Sequence, residues 1–162
     1  MADDQLTRLA ARLQAACLAH GLHVVTVESC TGGLVGHAIT TVPGSSAYYL
    51  GGLITYSNEV KQDHAGVPAE VLAAHGAVSA QVAVAMADGT RRRFEADLAV
   101  SVTGVAGPDG GSDQKPVGLT YIGVADTHGT DVRRYLWTGD RAANQLDSAA
   151  AALELALERV GE

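Results

Sequence analysis

Val24-Val25-Thr26-Val27-Glu28-Ser29-Cys30-Thr31-Gly32-Gly33 joins a β-branched apolar run to hydroxyls and paired glycines, and a helix-like segment follows. A strand that breaks into small polar residues before a helix is the βα junction of an α/β protein, and its carboxyl end is where such folds place ligands. The first N–H groups of a helix lack intrahelical partners and carry the positive end of its dipole, so an anion or oxyanion is expected at this turn. Gly32 and Gly33 remove Cβ atoms and let a ligand approach the backbone, while Ser29 stands where a nucleophile would. The alternative is that Ser29 or Thr31 only caps the helix. The stretch matches neither the dinucleotide fingerprint, nor the phosphate-binding P-loop, nor the Gly-Xaa-Ser-Xaa-Gly elbow.

On either side of this junction helices and strands alternate. Leu6, Leu9, Leu13, Ala16 and Cys17 recur at helical spacing, with Gly21 as the stop. The pattern predicts a strand over 23–27, a helix over 31–41 ended by Pro43-Gly44, and a strand over 48–56 in which Gly51-Gly52 marks a bulge or a close backbone approach. Short helices are expected over 59–65 and 69–75, the second with Pro68 at its start, and Ser79 caps a longer one to about Phe94. Leu98 to Val102 reads as a strand buried on both faces. It runs into Thr103-Gly104-Val105-Ala106-Gly107-Pro108-Asp109-Gly110-Gly111-Ser112, a loop too long for a simple connection. A hairpin over 119–137 turns at Thr127-His128-Gly129-Thr130, and Asp140 caps a last helix striped by Leu146, Ala150, Leu153, Leu157 and Val160. The expected architecture is one three-layer α/β/α domain over 1–162, with about five mostly parallel strands and an antiparallel last pair. The loops after Val27 and Val102 would then open on the same sheet edge.

A chain of 162 residues can bury a core without staples, and Cys17 and Cys30 alone make no disulfide framework, which suits a reducing cytoplasm. No apolar run reaches membrane-spanning length, and the acidic start Met1-Ala2-Asp3-Asp4 is unlike a secretory or transit signal. The net charge of −7 argues against nucleic-acid binding. The one basic cluster, Arg91-Arg92-Arg93, falls in the last turn of a helix, where cations complement the dipole.

Nine arginines but only two lysines, Lys61 and Lys115, carry the positive charge. Arginine cannot release its proton near neutrality, whereas a desolvated lysine can, so a retained lysine is a candidate neutral amine. Lys61 follows Tyr56-Ser57-Asn58 at the end of the second strand, within reach of the crevice that holds Ser29. Each lysine also reads as an ordinary solvated charge. The six histidines show no metal-ligand spacing and sit in no motif. Cys30 is a rival nucleophile, but its neighbour's side chain points the other way and a packed thiol fits better.

Taken in order, Glu28 to Gly33, Val42-Pro43-Gly44-Ser45-Ser46, Tyr56-Ser57-Asn58 with Lys61, Ala74-His75-Gly76-Ala77-Val78-Ser79, Thr103 to Pro108, Lys115-Pro116-Val117-Gly118 and Gly139-Asp140-Arg141 resemble the CinA C-terminal domain family, whose characterised members are nicotinamide-nucleotide amidohydrolases. The resemblance implies hydrolysis of the carboxamide of nicotinamide mononucleotide to nicotinate mononucleotide and ammonia, without metal or cofactor. It makes Ser29 the nucleophile, Lys61 the general base and Tyr56 an assisting hydroxyl. Thr31, Gly32, Gly33, Thr103, Gly104, Gly107 and Arg141 become substrate-binding residues. It further implies a stand-alone form acting on a small pyridine nucleotide and a homo-oligomer, for which exposed apolar helix stripes would supply the interface, while charge and composition speak for the cytoplasm and against nucleic-acid or membrane partners. Members often carry a basic residue one helical turn after Arg141, where this chain has Gln145. A binding module of the same fold that holds a nucleotide without turnover is the alternative.

This assignment makes a physical demand. A lysine with a pKa of about 10.4 is roughly 0.1% neutral near pH 7.4, and bringing it to about 7.5 requires on the order of 4 kcal/mol. Desolvation of Lys61, or a nearby cation such as Arg141, must supply it. A phosphate beside Lys61 would act the other way, so it is expected farther off, near the Gly104–Gly111 loop or an arginine.

Overall fold

The computed structural model describes residues 2–162; Met1, the first residue of the acidic N-terminal tetrapeptide, lies outside the described residues. Helix α1 (Ala2–His20) leads into β1 (Val24–Glu28), α2 (Leu34–Thr40), a 3-10 turn (Ser45–Ala47) and β2 (Tyr49–Ile54). Three helices follow, α3 (Asn58–Ala65), α4 (Ala69–His75) and α5 (Ala80–Phe94), and then β3 (Leu98–Gly104). The hairpin β4 (Leu119–Asp126) and β5 (Gly129–Leu136) precedes α6 (Arg141–Val160).

The five strands lie in the order β2-β1-β3-β4-β5. β1 pairs in parallel with both β2 and β3, while β4 runs antiparallel to β3 and to β5. Four strands therefore point one way and β4 alone is reversed, which adds a second antiparallel pair to the expected one. β1 is buried along its whole length, as a strand covered on both faces must be. α1, α2 and α6 cover one face, joined to the sheet by the larger core cluster. α3, α4 and α5 cover the other, with Val27, Ala65, Val82 and Met86 between the layers. The irregularity foreseen at Gly51-Gly52 falls one residue earlier: Val24 pairs with Tyr49 and Val25 with Gly51, leaving Leu50 bulged.

Two expectations require correction. The second helix begins at Leu34 rather than Thr31, because Gly32 (φ 62) and Gly33 (φ 104) adopt left-handed conformations that a helix cannot contain. The apolar stripe of α6 is not exposed for self-association, since Leu153, Leu157 and their neighbours pack into the core against α1 and the sheet. The large exposed apolar side chains are instead Leu18, Leu136, and Leu50, Ile54 and Tyr56 in or just beyond edge strand β2. Among the described residues, no helix is long and apolar enough to cross a membrane.

Because β2, β1 and β3 are parallel, their carboxyl ends reach one edge. The chain leaves β1 toward β2 on one side and later returns to β3 on the other, so a crevice opens between β1 and β3. α5 seats α3 at that edge through Gly89, where any Cβ would overlap the Ala65 carbonyl that ends α3. Gly89→Ala should therefore lower the melting temperature. Helix propensity would favour the change by ~1 kcal/mol, but forcing α5 away from α3 costs ~1–3 kcal/mol. Thermal unfolding of the variant measures the balance.

Candidate active site

Ser29 is the first residue beyond β1, 8% exposed, with its amide donating to the Val102 carbonyl (2.9 Å) and its carbonyl accepting from the Gly32 amide (3.1 Å). Lys61 lies one turn into α3. Ser57 caps that helix by accepting from the Val60 amide (3.2 Å), which turns the chain so that the lysine points back beneath the end of β2. The side chain is 1% exposed. Its Nζ stands 3.0 Å from Ser29 Oγ, 2.6 Å from the Thr55 carbonyl and 3.2 Å from the Tyr56 carbonyl. Burial holds its pKa below the ordinary lysine value, against a small opposing effect of Cys30. Of the two causes that the sequence offered, desolvation is the one that lowers it.

Ser29 and Lys61 open onto a cavity at the carboxyl edge of the sheet. Cys30 and Tyr56 flank them, Ala77 and Val78 form the wall before α5, and the stretch from Thr103 to Gly107 with Asp109 and Gly110 forms the wall beyond β3. Arg141 closes the remaining side. Gly104 admits no side chain: a Cβ there would lie 2.6 Å from Thr120 Oγ1, 2.8 Å from the Leu119 carbonyl and 3.1 Å from Cys30 Sγ. Thr103 is nearly inaccessible and spends its hydroxyl on the Ala77 carbonyl (2.8 Å), which ties two walls together.

Tyr56 takes a place other than the one expected of an assisting hydroxyl. Its carbonyl touches Lys61, while its ring is 63% exposed and its hydroxyl accepts from Arg141 at 3.2 Å on the rim. Arg141 also donates to the Gly107 carbonyl (2.7 Å). Three residues of the first turns of α6 act together here. Besides Arg141, Asn144 donates to the Ala106 carbonyl (3.0 Å) and Gln145 to the Cys30 carbonyl (2.8 Å). Gln145 thus braces the turn that carries Ser29 and does not line the cavity. Lys115 also stays outside it, donating to the His75 carbonyl at the end of α4 and so fastening the long glycine-rich loop to that helix.

Thr31, Gly32 and Gly33 do not line the cavity. The helix terminus where an external anion was expected is already filled by the carboxylate of Glu28, which accepts from the Thr31 hydroxyl (2.6 Å) and from the amides of Gly33, Val35 and Gly36. Neither Ser29 nor Thr31 caps α2, whose N-cap Gly33 offers no side chain. The sequence offers Glu28 only as the first residue of the Glu28–Gly33 block; the donor-rich turn after it was the signal for a buried cap.

The fold is thus an α/β domain that holds a serine hydroxyl and a buried lysine amine in contact at the switch point of its sheet. The chain belongs to the CinA C-terminal domain family, which matches residues 6–160. It is 46% identical over 155 residues to the nicotinamide-nucleotide amidohydrolase PncC of Escherichia coli strain K12, covering 95% of this chain and 94% of that one. It is 53% identical over 134 residues to a CinA-like protein of Geobacter sulfurreducens, covering 83% of this chain. The chain spans 30–36% of the length of that protein and of three similar curated relatives. The crystal structure of the competence/damage inducible protein CihA from Agrobacterium tumefaciens superposes with a TM-score of 0.93 at 40% identity, covering 98% of this chain and 96% of that one.

Cys30, the rival nucleophile, is 6% exposed, and burial pushes its thiol up to about 12. A thiol held that high is protonated and inert at neutral pH. Alkylation by iodoacetamide at pH 8 should leave Cys30 unmodified in the folded protein and label it fully once unfolded, as peptide mass mapping would read.

Proposed function

We propose that this chain hydrolyses the carboxamide of nicotinamide mononucleotide to nicotinate mononucleotide and ammonia, with Ser29 as nucleophile and Lys61 as general base. The observation that carries the reading is the buried Lys61 amine 3.0 Å from Ser29 Oγ. The identity to a relative named nicotinamide-nucleotide amidohydrolase along almost its full length supports the substrate.

The hydrogen bonding of Lys61 supports its role. The carbonyls of Thr55 and Tyr56 can only accept, so a neutral amine directs its two N–H bonds at them. In that neutral state its lone pair is left facing Ser29 Oγ, 3.0 Å away, and the hydroxyl would donate to it. As Ser29 Oγ adds to the carboxamide carbon, its proton passes to Nζ. The resulting ammonium returns a proton to the leaving nitrogen when the C–N bond breaks, and ammonia departs from an acyl-serine. Water, deprotonated by the same amine, opens the ester and releases the carboxylate with Ser29 restored. The pyridine ring fits beside Ser29, between the Ala77-Val78 wall and the stretch Thr103-Gly104. The phosphate belongs toward Arg141 and Gly107, at the rim, where its charge does not restore the proton affinity of Lys61. In this reading residues 1–162 act as one amidohydrolase domain in the cytoplasm, on a small molecule rather than a nucleic acid or membrane. The exposed apolar side chains in and beside β2 support self-association, which sedimentation velocity would detect as a species heavier than one chain.

Ammonia release from nicotinamide mononucleotide is the direct test; binding without release would reassign the chain as a nucleotide-binding module. Ser29→Ala should lower kcat by at least about 10⁴-fold and leave ground-state binding largely intact. Lys61→Arg should be nearly as inactive as Lys61→Ala, because guanidinium stays protonated and cannot accept the serine proton. An active Lys61→Arg enzyme would contradict the mechanism.

The pH profile follows from the sign of the shift. The base works when neutral, so kcat/KM falls as pH drops through the Lys61 pKa, and burial moves that limb below the range of a free lysine. Steady-state rates from pH 5 to 10 should show this acidic limb.

A further inference from the structure

We infer that Glu28 is the positioning residue for Ser29, holding the serine in line with Lys61 through a carboxylate that never reaches the reacting atoms. This rests on the reading of Ser29 as nucleophile. Glu28 is 2% exposed and lies outside the cavity lining. Its Oε2 accepts from Thr31 Oγ1 (2.6 Å) and from the amides of Gly33 and Val35 (both 3.1 Å), and its Oε1 accepts from the Gly36 amide (2.9 Å).

All four donors are neutral, and three are the otherwise unpartnered amides at the start of α2. A single carboxylate therefore supplies the cap that Gly33 cannot. It does so from the residue immediately before Ser29, so the conformation of the 29–33 turn and the satisfaction of the helix start are one and the same constraint. The backbone of Glu28 is fixed independently, its carbonyl accepting from the Thr55 amide at 2.7 Å. Thr55 is also the residue whose carbonyl takes a bond from Lys61 Nζ (2.6 Å). Nucleophile and base are thus referenced to the same pair of strand ends. Without the carboxylate the α2 amides must find other acceptors, and the adjustment available is a movement of the turn. Lys61, held by its own two carbonyls, would not follow. The substrate walls at Thr103, Gly107 and Arg141 belong to other elements and would stay.

The test is Glu28→Gln, which keeps the size of the side chain but turns one acceptor oxygen into a donor facing N–H groups. For a folded variant acting on nicotinamide mononucleotide, kcat should fall roughly 10- to 100-fold, as a misplaced nucleophile does. KM should stay close to wild type, because the substrate walls belong to other elements, and an acidic limb below the range of a free lysine should persist, because Lys61 keeps its burial and its bonds to the Thr55 and Tyr56 carbonyls. An unchanged kcat would overturn the inference, as would a raised KM with kcat retained. Should Glu28→Gln fail to fold, Thr31→Val removes only the hydroxyl bond; a smaller fall in kcat at constant KM is then expected, and wild-type kcat would overturn it. Ser29→Ala separates the two levels. If that variant keeps its activity, the nucleophile assignment falls. If it is inactive while Glu28→Gln matches wild type, only the role of Glu28 falls.

Discussion

Thr55 donates its amide to the Glu28 carbonyl at 2.7 Å and Ser29 donates its own to the Val102 carbonyl at 2.9 Å, and these two bonds end the parallel part of the sheet at one level. The candidate site is measured from that line. Ser29 is the next residue of one strand, Thr55 and Tyr56 the next residues of another, and Thr103 and Gly104 the end of the third. Had β1 slipped by one residue against either neighbour, its side chains would have exchanged faces and the serine would have left the edge. β1 is buried along its whole length, and its polar members Thr26 and Glu28 are held by bonds to Tyr49 and to the turn before α2, so that slip would strand buried polar groups as well as displace apolar ones.

α6 supplies the second reference. Arg141, Asn144 and Gln145 share one face of its first turns and bond to Gly107, Ala106 and Cys30, three backbone carbonyls in two different loops. At its other end Arg159 pairs with Asp126 through two bonds of 2.7 Å, fastening the helix to the β4–β5 turn. The Asp126 carboxyl is held well below the usual carboxylate range by that guanidinium. A helix tied at both ends acts as a strut, and the loops that carry the cavity walls are held to it by side chains that themselves contact no reacting atom.

Much of this was legible in the sequence because it depended on periodicity and punctuation. The helices over 69–75 and 80–94, the hairpin turn and the Ser79 and Asp140 caps follow local rules that a linear reading applies well. The meeting of Ser29 with Lys61 was legible from the place of Lys61 just after the second strand and from the family resemblance, and not from any local pattern that joins the two residues. What escaped the reading were contacts between elements distant in the chain. Gln145 stood out as a missing cation, yet its work is a bond to a carbonyl 115 residues away. Glu28 was read as part of a motif rather than as a buried cap, since nothing local says that four donors will converge on it. The start of α2 was misplaced for the same reason, the glycines being taken for ligand space when their left-handed backbone is what shapes the turn.

The manner in which the proton affinity of Lys61 is lowered has a consequence of its own. Its pKa is lowered by exclusion from water and not by a neighbouring cation. Mobile ions weaken the influence of one exposed charge on another over a Debye length of about 8 Å at 0.15 M ionic strength, but they do not rehydrate an amine that is 1% exposed. The proton affinity of this lysine is accordingly insulated from ionic strength. A lysine whose proton affinity is set in this way keeps it across surroundings of very different salinity.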